Sequence, residues 1–127
     1  MFKGIFSPGA AVANTNLTIS QNKNTNSRIS ASDNTIKLKS VGLWDVNVNL
    51  VATITAEGVA TAQLYADGMP VEGAFASTTA GQGGTYTFSF SDVIATVPGV
   101  DEFVDLSVQL NTAGTVVGGE INVSYRS

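Results

Sequence analysis

The chain has 127 residues, a length that suits one domain, and it contains no Cys and no His. That excludes disulfide staples, thiolate metal sites and imidazole general bases, so an enzyme would have to work with carboxylates, Lys, Tyr or Ser alone. Six cations against ten acidic residues give a net charge of −4, which disfavours nucleic-acid binding; charged residues are only 13 %, about half the usual share, so polarity rests on Asn, Thr, Ser and Gly.

Residues 1–13 are apolar with a break at Pro8-Gly9. Lys3 in front and Ala11-Val12-Ala13 behind give the outline of a secretion signal, but Ser7, Pro8 and Gly9 interrupt it and no signal is expected. No stretch approaches the ~20 apolar residues of a membrane span, so no membrane partner is expected. Met1, Phe2, Ile5 and Phe6 are costly to leave in water. They read either as a first strand on the chain's own core or as an arm that docks on a neighbouring subunit or a larger assembly. The boundaries drawn within a single domain are 1–29 for the N-terminal arm and first strand, and 30–127 for the jelly-roll head.

In residues 14–34, Leu17 and Ile19 alternate, as do Ile29 and Ala31, on either side of a polar loop at Gln21–Ser27. Strict alternation then runs from Thr35 to Thr55. Ile36, Leu38, Trp44, Val46, Val48, Leu50, Ala52 and Ile54 share one phase, and Lys37, Lys39, Asp45, Asn47, Asn49, Thr53 and Thr55 the other. Side chains on a strand alternate faces, so these are two half-buried strands joined near Gly42. Ala56-Glu57-Gly58 closes the second as a turn.

Residues 59–66 place Ala60, Ala62 and Leu64 inward. Asp67-Gly68 is a hairpin signal, because both residues tolerate positive φ. Val71–Ser77 returns as a short strand, and Thr78–Gly84 reads as a loop. Residues 85–91 put Tyr86, Phe88 and Phe90 on one face, and 92–101 are a connection. Residues 102–110 alternate Val104, Leu106, Val108 and Leu110 against Asp105, Ser107 and Gln109. After a turn at Thr112-Ala113-Gly114, Ile121, Val123 and Tyr125 alternate in a last strand. The total is eight to ten strands with no helical period: an all-β, antiparallel jelly-roll β-sandwich.

The string TIKLKSVGLWDVNVNLVATI, with Gly42-Leu43-Trp44 followed by a long alternating strand, resembles the first half of the complement-type globular heads and tumour-necrosis-factor-like jelly rolls. VATAQLYADGMPVEGA is similar to the following hairpin, VDEFVDLSVQL to a later strand, and INVSYRS to the terminal one. The resemblance covers roughly residues 30–127. Strings like LYADGMPVEGA also resemble small heads of tailed-bacteriophage virion proteins. The resemblance implies a homotrimer around a threefold axis and a structural or attachment role with no enzyme activity. Two features depart from the pattern: residues 1–29 hold no Gly-X-Y stalk, and Trp44 stands in place of the family's Tyr.

The expected role is a virion structural protein, a capsid decoration or short fibre anchored to the major capsid or another virion protein by its arm. The alternative is a module that binds a host-surface glycan or receptor; a carboxylate hydrolase is a third reading. Met1, Phe2, Ile5 and Phe6 are the expected anchor. Val51, Tyr65 and Phe103 fall on the polar phase of their strands and are the expected subunit interface. Asp101, Glu102 and Asp105 form the densest acidic group, without the spacing of a calcium loop, and read as solvated carboxylates. Asp45 reads as a surface or interface residue. Gly81-Gln82-Gly83-Gly84 lacks the Lys and helix of a phosphate loop and reads as a β-connection. Asn16 and Asn122 head glycosylation sequons that matter only in a eukaryotic secretory pathway. No cofactor, metal or catalytic residue is expected.

Overall fold

A computed structural model describes residues 1–32, 34–96 and 103–126. In chain order the strands are β1 (Phe2–Phe6), β2 (Gly9–Ala11), β3 (Ile19–Asn24), β4 (Ile29–Ser32), β5 (Thr35–Leu38), β6 (Gly42–Ile54), β7 (Gly58–Ala66), β8 (Met69–Ala80), β9 (Thr85–Thr96), β10 (Val104–Leu110) and β11 (Gly114–Tyr125). The first sheet runs β3-β1-β11-β6-β9, with β2 also on β11; the second runs β4-β5-β10-β7-β8. Strand pairs are antiparallel throughout. Apart from the hairpins β4–β5 and β7–β8, strands close in sequence are mostly split between the two sheets. That shuttling makes the sandwich a jelly roll.

The inward phase fills the space between the sheets. Trp44, Val48, Leu50 and Ile54 of β6 meet Leu64 of β7, Leu106, Val108 and Leu110 of β10, and Ile121 and Val123 of β11 in one buried core. Each such side chain stabilises the fold by roughly 1.5–3 kcal/mol on burial. Asp67 and Gly68 both have positive φ, as the two-residue hairpin between β7 and β8 requires.

Several strands run further than the sequence pattern announces. β3 continues to Asn24, into the expected loop; β8 continues to Ala80; β9 continues to Thr96. All three lie at sheet edges, where one face meets solvent and backbone pairing on a single side holds a polar sequence extended. Among the described residues eleven strands form where eight to ten were expected.

Residues 1–28 hold three strands, β1 to β3, all in the first sheet. β1 pairs with β11 on one side and β3 on the other, so it is an interior strand of the first sheet. β2 continues the same row along β11, after the break at Pro8. Residues 14–17 then cross to the second sheet. Asn14 N–H donates to Leu110 O and Leu17 N–H to Val108 O, both at 2.8 Å, filling the edge of β10 beyond its pairing with β5. Residues 1–29 are thus woven through both sheets.

Candidate functional site

The outward face of the first sheet is the most unusual surface of the molecule. β6 contributes Asn47, Asn49, Val51 and Thr53; β9 contributes Thr85, Thr87, Ser89 and Ser91; β11 contributes Asn122 and Ser124. Register sets Asn47 between Ser91 and Asn122, and Asn49 between Ser89 and Glu120. Short polar side chains bond across the strands: Thr53 and Thr85 hydroxyls lie 2.7 Å apart, and Ser89 Oγ donates to Asn49 Oδ1 at 3.0 Å. Cross-strand pairs of this kind each stabilise a sheet by a few tenths of a kcal/mol to about 1 kcal/mol.

The carboxylates of the two central strands, β6 and β11, are both paired, while Asp92 of the edge strand β9 accepts from Val93 N–H at 2.8 Å. Lys3 Nζ lies 2.9 Å from Glu120 Oε2, and Asn122 Nδ2 donates to Glu120 Oε1 at 3.2 Å. The Lys3 hydrogen bond, then the Asn122 one, holds the Glu120 carboxyl below the ordinary glutamate range. Arg126 grips Asp45 with both prongs, Nε to Oδ2 at 3.1 Å and Nη2 to Oδ1. A shallow hollow of about 560 Å3 opens beside this pair, bordered by Asn47, Ser91, Asp92, Asn122 and Ser124.

A compact network fixes Arg126 in place. Trp44 is fully buried, its Nε1–H donates to Ser40 O at 3.2 Å, and its ring meets Tyr125 edge-on at 4.7 Å. The Arg28 guanidinium covers the Tyr125 ring at 4.4 Å. Tyr125 Oη donates to Val41 O, and Arg126 N–H to Leu43 O, each at 2.8 Å. The end of β11 is therefore pinned against β6, with Arg126 directed at Asp45.

The outward face of the second sheet is different. It carries Lys37 and Lys39, Asp105, Gln63, Gln109 and Tyr65. Val59, Met69 and Phe75 are exposed along the β7–β8 hairpin. β8 bulges opposite Gln63–Tyr65, and the Gln63 Nε2 donors reach Leu64 O at 2.9 Å, Val71 O at 2.8 Å and Ala74 O at 3.1 Å. One amide thus satisfies carbonyls that the bulge takes out of the ladder.

The four residues of the expected anchor are divided by this geometry. Phe2 and Phe6 are 0 % exposed and belong to the chain's own core. They alternate with Ile5, which is only partly buried and sits on the outward face of the first sheet opposite Glu120. Met1 is exposed, but its ammonium donates to Thr25 Oγ1. The physical reason is pairing: a segment with a strand on each side has its inward residues committed.

The expected interface residues are not brought together. Val51 lies on the outward face of the first sheet, between Thr87 and Gly118. Tyr65 lies outward on the second sheet, opposite Ser107 and Pro70. Phe103 precedes β10, 54 % exposed, 5.8 Å from the Lys37 ammonium on that same side. A shared polar phase says that a residue points outward, not from which sheet.

Asp45 was singled out by the sequence, but its partner Arg126, 81 residues away, was not. Their shared outward phase on β6 and beyond β11 is the only signal that could have joined them. Asp101 and Glu102 lie outside the described residues. Asp105, the third of that group, faces Lys37, with 3.8 Å between Nζ and Oδ1. Gly81–Gly84 is a tight turn in which Gly81 N–H donates to Tyr86 Oη at 2.7 Å. Asn16 Oδ1 accepts from Gln109 Nε2 at 2.8 Å, and Asn122 is mid-strand on the first sheet.

No family model matches the chain, and no curated protein matches it in sequence. Solved structures do match. The globular domain of a zebrafish complement 1qA protein superposes with a TM-score of 0.75 at 11 % identity, over 99 % of this chain and 96 % of that one. The Eiger TNF of S. frugiperda superposes with a TM-score of 0.76 at 9 % identity, over 99 % and 93 %. Rabbit GITRL matches at 0.60 and 11 % identity, over 100 % and 95 %. At such identities the likeness concerns the fold: the chain is a jelly-roll β-sandwich like those of complement-type and TNF-type heads.

Proposed function

We propose that this chain is a non-enzymatic assembly protein, a homotrimeric jelly-roll head that packs through the outward face of its first sheet. One observation carries the reading. The outward face of β6, β9 and β11 presents mainly Asn, Ser, Thr and Val, and the carboxylates of its two central strands, Glu120 and Asp45, are neutralised within the chain. Interface centres are depleted of charge, whereas a solvated sheet face usually carries unpaired Lys and Glu. Val51 belongs to this face; Tyr65 and Phe103 fall outside it. A threefold arrangement is what the resemblance to complement-type and TNF-type heads implies, and closed rotational symmetry is the rule for such assemblies.

Within that reading we place the head in a virion, as a capsid decoration or short fibre on the major capsid or another virion protein. The support is the likeness of LYADGMPVEGA to phage head proteins, the low charge, and the absence of Cys and His. Attachment to the particle then uses surface residues, since Phe2 and Phe6 are committed to the core.

Light scattering over a range of concentrations tests the assembly. A mass near three chains is expected; a monomer at every concentration sinks the trimer. Mass spectrometry of particles purified from the source culture tests the placement: the peptide in the particle fraction supports it, and its confinement to the soluble fraction refutes it.

A further inference from the structure

We infer that the hollow beside Phe103, on the outward face of the second sheet, binds an acidic saccharide. The hollow measures about 560 Å3 and is lined by Ser30, Ala31, Ser32, Lys37, Lys39 and Phe103. Ligand sites usually fall between ~300 and ~1,000 Å3, which here accommodates one or two sugar rings. It is built on a defined row: register places Ser30 of β4 beside Lys37 of β5, and Lys37 beside Asp105 of β10.

Three features point to the ligand class. The Phe103 ring is more than half exposed, a flat apolar platform of the kind that the C–H face of a pyranose covers. The Lys37 ammonium is held near that ring but is not saturated: it stands 5.8 Å from the centroid and 3.8 Å from Asp105 Oδ1, too far for a hydrogen bond. Lys37 therefore has donors to give a carboxylate, with Lys39 as a second cation at the same rim. The Ser30 and Ser32 hydroxyls supply neutral donors and acceptors for sugar hydroxyls. A platform, two cations and two hydroxyls suit a sugar that carries a carboxylate better than an extended acidic peptide, which has no ring to stack.

The site lies on the sheet opposite the proposed assembly face. Its lining residues are not those proposed for assembly, and binding there needs only one chain.

Isothermal titration of the full chain decides the matter, with 3′-sialyllactose and a glucuronate disaccharide as acidic probes and lactose as the neutral one. At least one acidic probe is expected to bind about tenfold more tightly than lactose, and to weaken as salt rises. Phe103→Ala and Lys37→Gln should each cost about tenfold, Lys37→Arg should retain most of the affinity, and the distant Glu57→Gln should change nothing. Both mutated side chains are exposed, and circular dichroism checks the fold of each variant. Absence of binding at millimolar probe overturns the inference. So does binding that survives Phe103→Ala unchanged, or an oligoglutamate peptide that binds as tightly as the sugars. The mass of the same sample separates the two proposals: a monomer that binds keeps this site and sinks the trimer, and a trimer that does not bind does the reverse.

Discussion

The two outward faces come from the same alternating pattern, yet they are built from different residues. On the first sheet, β6, β9 and β11 turn out short uncharged side chains that bond to each other, with Glu120 and Asp45 closed off by Lys3 and Arg126. On the second, Lys37 and Asp105 stand 3.8 Å apart and Phe75, Met69 and Phe103 are exposed. Inward residues are chosen by one demand, filling the core. Outward residues record what each face meets, and here the flat, neutral face suits another protein surface while the charged, aromatic one suits solvent and ligands.

The contrast breaks most completely if the first sheet loses an interior strand. Deletion of residues 1–11 removes β1 and β2, strips one whole side of β11 and exposes Phe2 and Phe6 positions of the core. Cooperative thermal unfolding should disappear; a truncated chain that still melts cooperatively would restore the separate-arm reading. Phe6→Ala alone should cost about 4 kcal/mol in urea unfolding.

Glycines test how tightly each sheet is packed. Gly119 of β11 has φ of +117°, follows the bulge at Val116–Gly118, and an added Cβ would strike the Asn49 carbonyl and Leu50 backbone of β6. Gly119→Ala should destabilise by ~3 kcal/mol or more, because strain and backbone displacement add. Gly73 of the second sheet has φ of +80° with nothing within 4 Å of an added Cβ. Gly73→Ala should cost only ~1 kcal/mol, the backbone term alone. Equal costs at the two sites would mean the first sheet is no more constrained than the second.

The faces themselves can be exchanged in character. Thr87→Lys places an unpaired charge on the first face and should shift the light-scattering mass toward the monomer with little change in unfolding midpoint. Thr79→Lys on the second face should leave the mass unaltered. If both variants keep the parent mass, the first face is not the contact.

The smallest effect concerns pH. The Glu120 carboxyl is held below its ordinary range by Lys3 and Asn122, so its contribution is present above the unfolded-state value and fades as pH falls through the folded one. Glu120→Gln should lower stability slightly at neutral pH, where the contribution is present, and converge on the parent in strong acid, so that the acid limb of the stability profile flattens. Salt should weaken the same contribution, since the pair is exposed.

By itself the sequence determined the fold class and the inward set. The alternation of Thr35–Thr55 marked Trp44, Val46, Val48, Leu50 and Ile54 as core, and that of 102–110 marked Val104, Leu106, Val108 and Leu110; all are buried. Period 2 is a local property of an extended chain, so it is legible without a partner. Asp67-Gly68 was equally legible, because positive φ is a property of the residues themselves. Which strand lies beside which was not. Phe2 and Phe6 looked like an arm because their neighbour β11 lies more than a hundred residues downstream. Val51, Tyr65 and Phe103 looked alike because phase assigns a side chain to a face without saying of which sheet. Only tertiary pairing separated Val51 from the other two, joined Asp45 to Arg126, and brought Lys37 and Phe103 to one hollow: non-local register, set by the packing of both sheets at once, leaves no mark in any short stretch of chain.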